Sequence, residues 1–175
     1  MATSNFNIDP LSYKVSKGFS VSGWVVHYDV LSTNVIHYVD NPACENVRER
    51  ILKGAFSESL ETDDILMCVN HDLNYILGST KRGNLFFRDH PDKLFFVCHG
   101  IPGDTVVMWD GALRTIKSFV TLPYRDIGVS FNFDAKDESW GDVNGVQTRT
   151  IVKAKLNEIS IVNKPIYTEA TAEVI

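Results

Sequence analysis

Cysteine is scarce in this chain: Cys44, Cys68 and Cys98 lie far apart in 175 positions. An odd number of cysteines without a Cys-x-x-Cys spacing argues against a disulfide framework. No paired histidines complete a zinc ligand set, because His27, His37 and His90 stand at no metal-ligand spacing. The three thiols read as reduced and mostly buried in an intracellular protein. An excess of positive charge is also missing. Lys and Arg total 17 against 22 Asp and Glu, giving a formal net charge of −5 with the basic residues scattered. There is no field to hold a phosphate backbone, so nucleic acid is not expected as a direct partner. No apolar run approaches the length that crosses a bilayer. Met1 to Pro10 is polar and lacks the basic and apolar regions of a signal peptide. A cytoplasmic protein with no membrane partner is expected. Internal repeats, low-complexity tracts, a Gly-x-Ser-x-Gly elbow, a phosphate-cradling glycine loop and a dinucleotide fingerprint are all absent. No cofactor or metal is called for.

What is present suits one compact domain. Hydrophobic residues make up 44% of the chain and charged residues 22%, enough for a core that needs no stapling. A flexible arm is expected at residues 1–12, the domain at 13–170 and a short tail at 171–175. Tyr13 to Tyr28 predicts two strands or one bent hairpin, with Gly18 and Gly23 marking bulges or close backbone approach. Val47, Ile51, Leu52, Ala55, Phe56 and Leu60 recur at helical spacing and predict a helix over Glu45 to Leu60, starting near Asn41 or Cys44. A second helix is expected between Asp104, as N-cap, and Phe119. Strands are expected at Ile65 to His71, Tyr75 to Ser79 paired with Asn84 to Arg88, Leu94 to His99, Ile127 to Phe133 and Gln147 to Val162. Asp134 to Asn144 reads as a polar loop. The pattern predicts a mainly β chain with helices, as a closed or strongly curved β-barrel with helices packed outside.

Strand alternation isolates three residues, because side chains at i and i+2 share a face. Ile127, Val129, Phe131 and Phe133 form an apolar face, leaving Gly128, Ser130, Asn132 and Asp134 on the other. Ser130 then faces water or a cleft beside a residue without a side chain, where a peptide backbone can approach closely. An ordinary exposed strand serine is the alternative. Ile65, Met67, Val69 and His71 share a face, so His71 closes an apolar row. Partial desolvation there favours the neutral imidazole that can accept a hydroxyl proton, although a satisfied core histidine reads the same way. Asp72 points to the opposite face and reads as a turn residue. Glu158 falls on the face of Val152, Ala154, Leu156 and Val162, where a carboxylate needs a partner: a histidine N–H, or Arg149 or Lys155 in a structural ion pair. Cys98 and His99 are adjacent and diverge.

Several segments, in order, resemble the prohead (head maturation) serine protease family of tailed phages, itself similar in fold to herpesvirus assemblin. Leu52 to Leu60 resembles the family's Gly-Ala-Phe segment. Val69-Asn70-His71-Asp72 and Ile76 to Thr80 resemble its His-Asp motif and the Leu-Gly turn. Ile127 to Phe133 resembles the nucleophile strand, and Leu156 to Val162 with Pro165 and Tyr167 the closing motifs. The match spans about Gly23 to Thr168. It departs at Asn132, where glycine is more usual, and at Ile166, where alanine is. The resemblance implies Ser130 as nucleophile, His71 as general base and Glu158 as third member, a position herpesvirus relatives give to a second histidine. Gly128 and Asn132 would lie against substrate, and Arg149 is a candidate oxyanion donor. It further implies an endopeptidase in the host cytoplasm, inside the assembling prohead. There it would cleave scaffold protein or the scaffolding arm of the major capsid protein, and itself, as a homo-oligomer. A non-catalytic scaffolding protein on the same fold is the competing expectation, and a small-ligand-binding barrel a third.

Overall fold

The computed structural model describes residues 18–32, 47–109, 112–117, 127–163 and 165–175. The expected arm at 1–12, and with it His37, Asn41 and Cys44, lies outside them. In chain order the strands are β1 (Phe19–His27), β2 (Arg48–Ile51), β3 (Leu66–Val69), β4 (Gly78–Ser79), β5 (Leu85–Asp89), β6 (Lys93–Ile101), β7 (Val106–Trp109), β8 (Ala112–Thr115), β9 (Ile127–Val143), β10 (Val146–Asn163) and β11 (Thr171–Val174). The helix α1 (Ser57–Thr62) lies between β2 and β3, and Ile116 and Lys117, after β8, are also helical.

Two open sheets share the core. The first is antiparallel in the order β11-β1-β6-β5. The second is built on β10, which takes β9 antiparallel along one edge and β2 and then β3 parallel along the other, with β4 outside β3. A separate hairpin pairs β7 with β8. One apolar cluster draws Val21, Phe96 and Leu85 from the first sheet and Met67, Val129, Ile159 and Ile161 from the second. The expected closed or strongly curved barrel with outer helices is overturned. Closure requires every strand to have two neighbours, whereas β4, β5 and β11 each pair with a single strand at the end of a sheet.

Both predicted helices give way to strand over much of their described length, for the same reason, with helix kept only at Ser57–Thr62 and at Ile116 and Lys117. Arg48–Ile51 pairs in parallel with Thr148–Ile151, so β2 occupies the first half of the Glu45 to Leu60 helix and only Ser57–Thr62 is helical. In the second, Val107 is buried between exposed Val106 and Met108. That is a period of two, and these residues pair with Ala112–Thr115. Short apolar runs satisfy either period, and the partner strand decides. The expected pairing of Tyr75 to Ser79 with Asn84 to Arg88 does not form, because β4 pairs with β3 and β5 with β6. Nor is Asp134 to Asn144 a loop. β9 continues to Val143 and turns back through Asn144 and Gly145, both at positive φ (56° and 81°), the backbone a tight two-residue hairpin demands. Its exposed residues read as loop because most of this ribbon is solvated on both faces. Thr171–Val174, set apart as a tail, pairs with β1. In β1 itself, a Cβ at Gly23 would run into the Thr171 carbonyl, the close approach expected of that glycine.

Between β2 and β3 the edge of β10 is met by the connecting turn and α1. Leu52 N–H donates to the Ile151 carbonyl at 3.0 Å and Ala154 N–H to the Ala55 carbonyl at 2.8 Å. Leu156 N–H donates to the buried Ser59 Oγ at 2.9 Å, and Ser59 Oγ–H donates to Asp63 Oδ2 at 2.8 Å. Phe56, fully buried before the helix, meets Phe131 and Phe133 edge-on at 5.9 and 6.0 Å. No side chain caps the start of α1, so tertiary contacts rather than capping hold this short helix on β10. Ser59→Ala leaves the Leu156 N–H buried without an acceptor. The expected loss is about 1–3 kcal/mol in urea denaturation, and a change near zero would show that the bond is replaceable.

Candidate active site

Alternation along β9 holds at the point of interest. Val129 joins the core, with Phe131 and Phe133 packed against it, while half-exposed Ser130 and exposed Asn132 face the other way. Across the ladder Ser130 stands opposite Ser160 and Asn132 opposite Glu158. On the next strand Cys68 stands beside Ser160 and Leu66 beside Glu158. Residues directly opposite each other share a face. One sheet face therefore carries Ser130, Ser160 and Cys68 in a row across β9, β10 and β3, with Glu158 one step along β10.

Two local irregularities bring the acid and the histidine to this face, and both correct the reading by alternation. Between Leu156 and Glu158 the register slips, Leu156 pairing with Phe133 and Glu158 with Asn132, so Asn157 is the extra residue of a β-bulge. Leu156 stays in the core, while Glu158 leaves the apolar face it was assigned and joins Ser130. His71 likewise does not continue the row of Met67 and Val69. Asn70 and His71 take positive φ (52° and 59°), turning the chain back over the end of β3. Non-glycine residues are uncommon there and tend to mark functional sites. Asn70 N–H still extends the β3–β10 ladder, donating to the Ile161 carbonyl at 3.0 Å, and Asp72 N–H closes the turn on the Val69 carbonyl at 2.9 Å. The His71 N–H donates to Ser160 Oγ at 2.8 Å.

The His71 ring lies over the bulged carboxylate, with Nδ1 2.5 Å from Glu158 Oε1. The His71 side chain is 43% exposed and that of Glu158 8%. An ionised carboxylate only accepts, so Nδ1 carries the proton and Nε2 remains free. The bond to Glu158, and then its charge, raise the His71 pKa above its ordinary value, against the lowering effect of burial. The second oxygen, Oε2, accepts from the Cys68 thiol at 3.1 Å. Cys68 Sγ also lies 3.0 Å from Ser160 Oγ. Burial pushes the Cys68 thiol up to about 12, so it stays protonated and is a poor nucleophile.

The other sequence candidates fall differently. Asp72 accepts from the backbone N–H and side-chain amide of Asn74, at 2.9 and 2.7 Å, in a local turn. Arg149 is committed to Glu49 at 3.1 Å and Glu138 at 2.5 Å. Its guanidinium lies 5.9 Å from the Phe133 ring, on the opposite face of β9 from Ser130, so it is not brought to Ser130 as an oxyanion donor. The space over Gly128 is filled by the chain itself, since a Cβ there would run into the Ala170 carbonyl and Pro165. Gly128 therefore admits its own closing segment rather than a substrate backbone. Asn132 stays on the Ser130 face, exposed, its Oδ1 accepting from Asn157 Nδ2 at 3.2 Å. Ser160 and Cys68 were missed as site residues. Pairing alone reveals them, although the polar run Asn70 to Asn74 signals the turn that moves His71. His71 and Ser130 share no hydrogen bond among the described residues, which also hold no cluster of side chains able to bind a metal.

Residues 9–175, nearly the whole chain, match the family described as caudovirus prohead serine protease. No curated protein and no solved structure matches the chain. No helix among the described residues is long and apolar enough to cross a membrane.

The His71–Glu158 pair sets a pH dependence. With the folded-state pKa raised above the ordinary 6.5, its contribution to stability is complete below that value and is lost as pH rises through the folded-state pKa. The free base accumulates only above it. By NMR the His71 ring should titrate above 6.5, and in Glu158→Gln at a lower pH than in the wild type. Equal midpoints in the two proteins would remove Glu158 as the cause.

Proposed function

The chain belongs to the caudovirus prohead serine protease family and is a serine endopeptidase; from that premise we propose that Ser130 is its nucleophile, His71 the general base and Glu158 the residue that orients the base. The observation that carries this reading is the occupancy of His71. Its Nδ1 is held by Glu158 and its main-chain N–H by Ser160, which leaves Nε2 to take a proton, and Ser130 stands directly opposite Ser160 on the neighbouring strand. Three heteroatoms on the face could attack a carbonyl, and two are spoken for. Ser160, 1% exposed, accepts the His71 N–H, and Cys68, 0% exposed, is a raised thiol against a carboxylate. Half-exposed Ser130 is the remaining one.

In this mechanism neutral His71 takes the Ser130 hydroxyl proton on Nε2 as Oγ bonds to the scissile carbonyl carbon. The imidazolium is stabilised through Nδ1–H by Glu158. Collapse of the tetrahedral species breaks the C–N bond, and the amine leaves with the proton from Nε2. Water, deprotonated in turn by His71, then hydrolyses the acyl-enzyme and restores Ser130. Asn132, exposed two residues beyond the nucleophile, lies where it would contact substrate. The substrates are scaffold protein or the scaffolding arm of the major capsid protein, and the protease itself, inside the prohead.

Coexpression with the phage's capsid and scaffold proteins tests the assignment by gel and mass analysis. Ser130→Ala should abolish processing, and Glu158→Gln should slow it by about 10²- to 10⁴-fold, as expected when the base loses its orienting carboxylate. Unchanged processing by Ser130→Ala would refute the assignment.

A further inference from the structure

Four hydrogen bonds around Glu158 form a closed ring, and the chemistry of their atoms fixes every direction. A buried ionised carboxylate cannot donate, so the thiol of Cys68 must donate to Oε2 across 3.1 Å. With its one proton used, Sγ can only accept from Ser160, whose hydroxyl therefore donates across 3.0 Å. The Ser160 oxygen accepts the His71 main-chain N–H at 2.8 Å, and the His71 ring returns to Oε1. The histidine is thus gripped at its backbone and at its ring by one circuit. Cys68 is the link that joins the two grips.

We propose that Cys68 is a positioning residue of this protease, its thiol holding the outer oxygen of Glu158 so that the carboxylate stays aimed at His71 and shares its charge between two donors. The inference rests on the assignment of Ser130, His71 and Glu158 made above. Without the thiol, Oε2 is buried with no donor. The negative charge then falls more heavily on the bond to His71, which binds its proton more tightly, and the base form appears at higher pH. The carboxylate and the ring also lose their shared anchor to Ser160. A side chain that merely filled space would alter neither the pH at which the base is freed nor its dependence on a donor.

The test uses a fluorophosphonate probe, which needs no knowledge of the natural substrate. Ser130 Oγ bonds to phosphorus, fluoride leaves and His71 takes the hydroxyl proton, so the labelling rate against pH reports the base. Cys68→Val keeps the bulk and Cys68→Ala removes it, and whichever of the two folds by circular dichroism carries the comparison. Labelling should be about tenfold slower, in the range for losing an outer hydrogen-bond partner, with the acid limb at higher pH. Cys68→Ser, which keeps a donor, should restore both. Wild-type rate and acid limb in a folded donor-less variant would overturn the role of the thiol, as would a folded Cys68→Ser as impaired as Cys68→Val. Ser130→Ala separates the two levels. If it still takes the probe at the wild-type rate, the nucleophile assignment fails; if it is unlabelled while Cys68→Val behaves as wild type, only the present inference does.

Discussion

The site depends on the need to satisfy one buried negative charge. Glu158 is 6% exposed, and an ionised carboxylate at that depth is tolerated only with donors on its oxygens. Among the described residues no lysine or arginine bonds to it. The imidazole N–H and a thiol do, and each is tied back to the same serine hydroxyl or its neighbours on the sheet. Held by these donors, the carboxylate has no second cation competing with the His71 ring for its field. A guanidinium in place of Cys68 would satisfy Glu158 equally well, but it would draw off the field that raises the His71 pKa.

The fold is arranged to bring those donors to one place. β10 is the common support, with the candidate nucleophile on its antiparallel neighbour β9, the thiol on its parallel neighbour β3 and the acid on β10 itself. The parallel pairing with β3 also makes the histidine turn follow directly from the strand that presents Cys68. Farther along β10 the edge is closed by the turn before α1 and by Ser59, beside the bulge that redirects Glu158. On the far edge, the segment bearing Pro165 and Ala170 fits over Gly128. The Tyr167 ring stacks on Phe131 at 5.4 Å while its hydroxyl donates to Glu49. The strand that carries Ser130 is therefore braced on its core face by Phe56 and Tyr167, while its other face stays open at Ser130 and Asn132.

Period-two reasoning located Ser130 because β9 is regular from Ile127 to Phe133. The same reasoning sent His71 and Glu158 to the core, because each sits one residue past a break in regularity. For Glu158 the break is a bulge at Asn157, and a single polar residue in an otherwise strand-like run carries no signal of an inserted position. For His71 it is a pair of left-handed residues, and here the Asn and Asp content from Asn70 to Asn74 was a readable turn signal. The ordered motifs brought the three residues together when spacing could not. The helices and the barrel were illegible for a different reason. Whether Arg48–Ile51 or Val106–Trp109 forms helix or strand is decided by partners as distant as Thr148–Ile151, and no local window contains them. The Asn144-Gly145 hairpin turn, by contrast, stood in the sequence and was obscured by the polarity of the ribbon around it.

The strain at Asn70 and His71 and the ring of hydrogen bonds explain each other. Left-handed backbone at a non-glycine residue costs about 1–2 kcal/mol, so the turn persists only if something beyond the turn holds it. Its outward bonds are those to Ile161 and Ser160, and Ser160 is oriented by Cys68, which is oriented by Glu158. The same carboxylate that steadies the ring thus stabilises, through two side chains, the backbone conformation that delivers the ring. This closes a loop of dependence in which no member is oriented by local sequence alone. A regular β3 strand running on through His71 would need none of these contacts, and it would carry the imidazole toward the core face, away from Ser130.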